Sequence, residues 1–244
     1  MRKMKTLIAI PVFNEQRYLH KVLKEIRLHA HADILVIDDG STDATPDILR
    51  VMSDIFVLRH GQNMGYGRSL IAAFDFAARY SYQWVITMDC DEQHEPAALP
   101  EFIAATEADA ADIISGSRYL LSKSRKDEPP LDRRLINQLI TDVINRNLNF
   151  NLTDSFCGFK AQRVSAMQEL DLSETGYAFP MELWVRAAQA GLRVSELPIR
   201  LIYNDPDRHF GGRLDDPNHR LRHYLDVFFR VLHSAECRQA LAAG

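Results

Sequence analysis

Cysteine is scarce in this chain of 244 residues: three, at Cys90, Cys157 and Cys237, with spacings that give neither a disulfide framework nor a zinc pattern, so a reducing compartment is the simplest setting. A positive excess is absent as well. Lys and Arg total 29 against 33 Asp and Glu, for a net charge of −4, which argues against nucleic acid as a partner. No apolar run approaches the roughly 20 residues that cross a bilayer. Met1-Arg2-Lys3-Met4-Lys5 passes directly into a short apolar strand with no cleavage site, so no secretory signal is expected. These absences leave a cytoplasmic chain without a transmembrane segment, with contact at the cytoplasmic face of a membrane still open. What is present, 46% hydrophobic residues, suffices for one sizeable core.

The first half alternates strand and helix patterns. Thr6–Val12 is a continuous apolar run, and residues 15–29 place Tyr18, Leu19, Val22, Leu23 and Ile26 on one helical face behind a capping Asn14. Ile34–Ile37 is a second buried strand, followed by a helix that Ser41 or Thr42 would cap; Ile55–Leu58 is a third strand. A glycine-punctuated loop at 61–67 opens a helix through Tyr80. Then come the strand Trp84–Met88, a helix opened by Pro96 and a strand at 112–116. Strands separated by helix-length connections imply βαβ units and a mostly parallel sheet with helices on both faces. Further on, 121–130 reads as a charged loop, 131–148 as a helix, 156–161 as a strand or turn, and 179–190 as a helix stopped by Gly191. Residues 194–203 form a strand whose interruption at Pro198 suggests a sheet edge or a bulge, and 203–217 a loop. The chain divides into a single domain over 1–217 and a C-terminal amphipathic helix over 218–244, whose apolar stripe suits core packing, a homodimer seam or membrane docking.

The polar clusters follow a rule. Asn14-Glu15, Asp38-Asp39 and Asp89/Asp91 each stand at the carboxyl end of a predicted strand, where open α/β sheets bind ligands. Asp89 and Asp91 flank Cys90, and in an extended chain residues two apart share a face. An isolated pair of this kind also describes a solvated turn; beside two further acidic strand ends it reads as a site for a hard divalent cation on a phosphorylated substrate.

In order along the chain stand Ala9-Ile10-Pro11-Val12-Phe13-Asn14-Glu15, Val36-Ile37-Asp38-Asp39-Gly40-Ser41-Thr42-Asp43, Asn63-x-Gly65-x-Gly67, Met88-Asp89-Cys90-Asp91-x-Gln93-His94-x-Pro96 and Asp154-x-x-Cys157-Gly158-Phe159-Lys160. This series resembles the inverting family-2 glycosyltransferases, and within them the dolichol-phosphate mannose synthase and polyprenyl-phosphate glycosyltransferase branch. The resemblance covers roughly residues 5–203. It implies the GT-A fold, a Rossmann-like single α/β domain, with a nucleotide-diphosphate sugar as donor, a lipid-phosphate or glycan acceptor, and Mg²⁺ or Mn²⁺ as cofactor. By the same resemblance Pro11, Phe13, Glu15, Asp39 and Asp89 would bind the nucleotide, while Asp89, Asp91 and Gln93 would hold the metal. Asp91, Arg118 and Glu182 would act in catalysis, Glu182 standing where hydroxyl-transferring relatives place a base, although the apolar run Phe179-Pro180-Met181-Glu182-Leu183-Trp184 equally suits packing or donor positioning. Arg133, Arg134 and Arg208 are the candidates for an acceptor phosphate. The chain departs from the pattern at Glu92, where a small or apolar residue is usual, and after Arg208-His209-Phe210-Gly211, where the usual Ser-Lys is missing.

Three rival readings are weaker. A nucleotidyltransferase would carry a glycine-rich basic loop where Pro11–Glu15 stands. A haloacid-dehalogenase-type phosphatase would carry its D-x-D on the first strand. A non-catalytic nucleotide-sugar-binding subunit would not need Asp39, Asp89 and Asp91 intact.

Overall fold

The computed structural model describes residues 4–92, 94–120, 129–202 and 210–242. Seven strands form one sheet: β1 (Thr6–Val12), β2 (Asp33–Asp38), β3 (Phe56–Arg59), β4 (Trp84–Thr87), β5 (Ile113–Ser117), β6 (Lys160–Arg163) and β7 (Val194–Pro198). Their order is β3-β2-β1-β4-β6-β5-β7, with β6 antiparallel to both of its neighbours and every other pairing parallel. The helices are α1 (Leu19–His29), α2 (Thr45–Arg50), α3 (Tyr66–Arg79), α4 (Leu99–Glu107), α5 (Leu131–Leu148), α6 (Val164–Glu169), α7 (Phe179–Gln189) and α8 (Pro217–Ala242).

Alternation along β1 sets the two layers. Leu7 and Ala9 join Leu35, Ile37 and Val85 in a core closed by α3 and α5 to α8, whereas Ile8, Ile10 and Val12 join Val36, Trp84 and Ile86 in a core closed by α1 and α4. A sheet covered on both faces needs strands that are apolar throughout, and β1, β2 and β4 are.

The structure departs from the sequence reading at several points. Asn14 does not cap α1: it takes φ +58°, and its side-chain oxygen accepts the Thr42 and Asp43 N–H groups at 2.8 and 3.2 Å, tying the β1 end to the β2 end. Neither Ser41 nor Thr42 caps α2, which begins at Thr45. The parallel series is interrupted by β6, a four-residue strand Lys-Ala-Gln-Arg that overlaps the strand or turn expected at 156–161 but starts later and runs antiparallel, which its short, polar sequence does not indicate. β7 lies at the sheet edge and ends at Pro198, where a missing N–H removes no ladder bond from a further neighbour. The residues by which α8 enters the core are Tyr224, Val227, Phe228 and Val231; of the stripe expected from the spacing of Leu221, Leu225, Phe228 and Leu232, Phe228 is buried and the three leucines are partly buried beside it.

Candidate active site

The carboxyl ends of β1, β2 and β4 lie side by side and open into a cleft of about 470 Å³, within the size range of small-molecule sites. Pro11, Phe13 and Glu15 line it from the β1 end, Asp39 from the β2 end, and Asp89 and Asp91 from the β4 end. Arg118 past β5, Arg133 on α5 and Arg220 on α8 line the other side. Expected site residues Gln93 and Arg208 lie outside the described residues, as does most of the 121–130 loop. Arg134, one residue beyond Arg133, does not line the cleft.

Asp89, Cys90 and Asp91 all border the cleft, Cys90 being at the same time buried in the core on the α1 and α4 side. Asp89 is closely held: the Tyr66 hydroxyl donates to Oδ1 at 3.0 Å, and His94 Nε2 stands 3.7 Å from Oδ2. Gly158 packs against the same carboxylate, since a Cβ there would come 2.6 Å from Asp89 Oδ2 and 2.9 Å from the Tyr66 hydroxyl. Burial opposes a charge on His94, yet the Asp89 carboxylate, Cys157 and Asp91 carry its pKa up to about 9. Its Nδ1 lies 2.9 Å from the Asp89 N–H and accepts from it in the neutral ring, so this bond, together with burial, opposes the pull of the neighbouring negative charges on the imidazole. Burial, followed by the Asp89 charge, raises the Tyr66 pKa and keeps its phenol a donor. Glu92, the departure inside the motif, pairs with Lys21 at 2.5 Å and is not a lining residue.

Asp39 lines the cleft and also organises its neighbourhood. It accepts the Met64 and Gly65 N–H groups at 2.9 and 2.8 Å and contacts His60 Nδ1 at 2.7 Å. The glycines that follow serve close packing: a Cβ on Gly67 would fall 2.2 Å from the Glu174 carbonyl.

Arg118 is gripped by Asp154 in a bidentate pair, 2.6 Å from Nε and 2.9 Å from a terminal nitrogen. Asp154 is fully buried, accepts Asn137 Nδ2 at 2.8 Å, and has its pKa brought down to about 2, the opposing cost of burial being outweighed by Arg118 and Asn137. Two of the five guanidinium donors are thereby fixed, and the head remains in the cleft wall. Arg133 and Arg220 stack on Phe210 at 4.9 and 4.7 Å. Arg220 is 3% exposed and bonds Asp132 at 2.6 Å and the Leu214 carbonyl at 2.8 Å, joining α8 to the start of α5.

Glu182 is where the structure corrects the expectation of a base. The side chain is 1% exposed and absent from the cleft wall. Its oxygens accept the Ser173 N–H at 2.7 Å, the Ser173 hydroxyl at 2.9 Å and the Glu174 N–H at 2.6 Å. Sequence reasoning found the strand-end carboxylates but missed Tyr66, Asp154 as the holder of Arg118, and Arg220 with Tyr224; for Asp154 the only signal was its place in the last of the five motifs.

Among the described residues no three His, Cys, Asp or Glu side chains converge as a metal cage. A pair of cleft carboxylates still fits Mg²⁺ or Mn²⁺, which take one or two carboxylates and complete their shells with phosphate oxygens and water. No helix among the described residues is long and apolar enough to cross a membrane.

Residues 7–171 match the family described as Glycosyl transferase family 2. An undecaprenyl-phosphate mannosyltransferase of Micrococcus luteus is 31% identical over 207 residues, covering 82% of this chain and 84% of the relative. A polyprenol monophosphomannose synthase of Mycolicibacterium smegmatis is 31% identical over 206 residues, covering 80% and 76%. Among solved structures, the glucosyl-3-phosphoglycerate synthase of Mycobacterium tuberculosis in complex with Mn²⁺, uridine diphosphate and glucosyl-3-phosphoglycerate superposes with a TM-score of 0.73 at 16% identity, over 94% of this chain and 80% of that one. At that identity the likeness is one of fold, and the fold is GT-A.

Proposed function

This chain belongs to glycosyl transferase family 2, and on that premise we propose that it transfers a sugar from a nucleotide-diphosphate sugar to a polyprenyl phosphate, with inversion at the anomeric carbon. An acceptor phosphate oxygen forms the new bond to the anomeric carbon as the bond from that carbon to the donor diphosphate breaks, and the nucleoside diphosphate leaves with the electron pair.

The observation that carries the choice of acceptor is the asymmetry of the cleft. Among the described lining residues every carboxylate, Glu15, Asp39, Asp89 and Asp91, stands at the end of β1, β2 or β4, while the arginines Arg118, Arg133 and Arg220 come from the end of β5, from α5 and from α8. A sugar hydroxyl would need a positioned base, and Glu182 is sealed away from the cleft. A phosphate monoester, with a second pKa of about 6, is already anionic near neutral pH and needs cations instead. The names of the Micrococcus and Mycolicibacterium relatives support the same acceptor class.

In this reading Pro11, Phe13, Glu15 and Asp39 hold the nucleoside. Asp89 and Asp91 would hold a Mg²⁺ or Mn²⁺ that supplies Lewis-acid stabilisation of the leaving diphosphate, worth several kcal/mol. Arg118, fixed in advance by Asp154, presents its remaining donors to phosphate oxygens without reorganising. Arg133 receives the acceptor phosphate, at the face of the membrane that carries the lipid, with Arg208 the further candidate that the family resemblance names. Incubating the purified chain with a panel of nucleotide sugars, Mn²⁺ and a short-chain polyprenyl phosphate tests it. One donor is expected to yield a lipid-extractable phosphosugar; transfer confined to free sugar hydroxyls would overturn the reading.

A further inference from the structure

Tyr66 has no part in the chemistry outlined above, yet it is the residue placed to govern the metal carboxylate. It is the first residue of α3, preceded by Gly65 at φ +102°, a left-handed conformation suited to glycine and held tight because a Cβ there would meet the Thr175 carbonyl at 2.3 Å. The Arg68 N–H donates to that same carbonyl at 3.1 Å, so the start of α3 is fastened to the 173–177 segment. The Tyr66 ring stacks on Tyr177 at 5.9 Å with planes 18° apart. From this fixed ring the hydroxyl donates to Asp89 Oδ1 at 3.0 Å. Gly158 packs against Asp89 Oδ2 and the Tyr66 hydroxyl, leaving no room there for a side chain.

We propose that Tyr66 is the positioning residue of the metal site: its hydroxyl fixes the rotation of the Asp89 carboxylate between the α3 start and Gly158, and so sets the affinity for the divalent cation. The inference rests on the reading that Asp89 and Asp91 hold that cation. Physically, Asp89 is the more exposed member of the pair, its side chain 29% accessible, and a carboxylate at a cleft mouth otherwise rotates freely. A hydrogen bond to one of its oxygens removes that freedom before the cation arrives and leaves the second oxygen turned by the same constraint. Groups that hydrogen-bond a metal-ligating carboxylate are worth about 10- to 100-fold in metal affinity.

The 173–177 segment is itself held by the buried Glu182 carboxylate through Ser173 and Glu174. The constraint on Asp89 therefore runs from Glu182 through that segment and the Tyr177–Tyr66 stack to the metal motif. This gives the sealed glutamate a role without contact with the substrate.

The decisive variant is Tyr66→Phe, which keeps the stacked ring and deletes only the hydroxyl. Mn²⁺ binding is measured by electron paramagnetic resonance of the free ion, in the presence of uridine diphosphate and, in parallel, guanosine diphosphate, alongside melting temperature and Asp89→Asn as a control. The expected result is an approximately tenfold weaker Mn²⁺ dissociation constant in Tyr66→Phe with either or both nucleotides, a melting temperature close to wild type, and a turnover that recovers toward wild type as Mn²⁺ is raised. Wild-type Mn²⁺ affinity in Tyr66→Phe, with binding lost in Asp89→Asn, overturns the role of Tyr66 and leaves the metal reading standing. Binding unchanged in both variants, or absent from the wild type, overturns the two together. A drop in melting temperature with unchanged Mn²⁺ affinity assigns the hydroxyl to stability alone and also overturns the proposal.

Discussion

The two sides of the cleft are stabilised by opposite means. On the strand-end side, carboxylates project into the cleft and are steadied by neutral donors: Asp39 by the Met64 and Gly65 amides, Asp89 by the Tyr66 hydroxyl. The amides and the phenol leave the charges in place, and the imidazoles of His60 and His94 stand 2.7 Å from Asp39 and 3.7 Å from Asp89. On the other side, guanidinium groups project into the cleft and are steadied by full charges, Arg118 by Asp154 and Arg220 by Asp132. A paired arginine exerts a weaker long-range field, but its remaining donors are aimed before any ligand arrives. On the proposed reading, the first side gathers a metal and the second receives phosphate oxygens at fixed positions.

The largest effect is expected from removing the cation-gathering charge. Asp91→Ala should lower transfer by about 10³-fold or more, the consequence of losing roughly 4 kcal/mol of charge stabilisation. Its melting temperature should move only a few degrees, since a strand-end carboxylate contributes little to the apolar core. Metal-dependent turnover surviving in that variant would break the assignment of the strand-end side.

The paired side should fail differently, through stability and with a pH signature. Asp154 has a folded-state pKa near 2 against an ordinary 3.8, with Arg118 and Asn137 outweighing burial. A depressed carboxylate pKa contributes stability that is full above the unfolded value and lost as pH falls through the folded one. Wild-type stability should therefore drop between about pH 4 and pH 2, by up to about 2 kcal/mol from this group. Asp154→Asn should cost up to about 3 kcal/mol near neutral pH, because it leaves Arg118 without its counter-charge, and should flatten that acid limb. An unchanged acid limb in the variant would show that Asp154 is not the group that titrates.

These two sides also explain what could be read from the chain directly. A strand-end carboxylate is local information: an apolar run stops, an acidic residue follows, and Asp39, Asp89 and Glu15 need nothing more to be found. The layered α/β sheet was legible for the same reason, as was α5, whose limits follow from a single helical pattern. Arg118 and its partner are 36 residues apart, and Arg220 and Asp132 are 88 apart, distances over which no periodicity speaks. The antiparallel β6 and the short α6 carry too few apolar residues to show a period. Tyr66 looked like any aromatic at a helix start until the fold set it beside Asp89. Glu182 stands where a base would, yet its apolar surroundings, Phe179-Pro180-Met181 and Leu183-Trp184, already allow a packing role; what no local pattern shows is its bonding to the Ser173 and Glu174 amides.

Glu182→Gln sharpens the comparison by asking whether any base serves the arginine side. A general base is worth 10²- to 10⁴-fold, whereas a structural carboxylate exchanged for an amide loses one acceptor from the Ser173–Glu174 hydrogen bonds, about 1 to 2 kcal/mol of stability. The expected outcome is a lowered melting temperature and a turnover within about tenfold of wild type at saturating metal. A loss above 10²-fold with metal saturating would restore the hydroxyl-acceptor reading.

The smallest effects should separate two adjacent arginines. Arg133 lines the cleft and stacks on Phe210, while Arg134 is partly buried on the same helix and lines nothing in the cleft. If the arginine side receives the acceptor phosphate, Arg133→Ala should raise the acceptor KM by about tenfold, the loss of one charge-assisted contact of roughly 1.5 kcal/mol, and leave donor hydrolysis nearly unchanged. Arg134→Ala, a substitution away from the cleft, should stay within about 0.5 kcal/mol of wild type in both stability and acceptor KM. Because both variants remove the same charge from the same helix, a shared effect would indicate general attraction of an anionic acceptor rather than a defined contact. The difference between them, measured as acceptor KM at two salt concentrations, isolates the contact: a nonspecific field weakens with added salt for both residues alike, whereas the Arg133 contribution should persist.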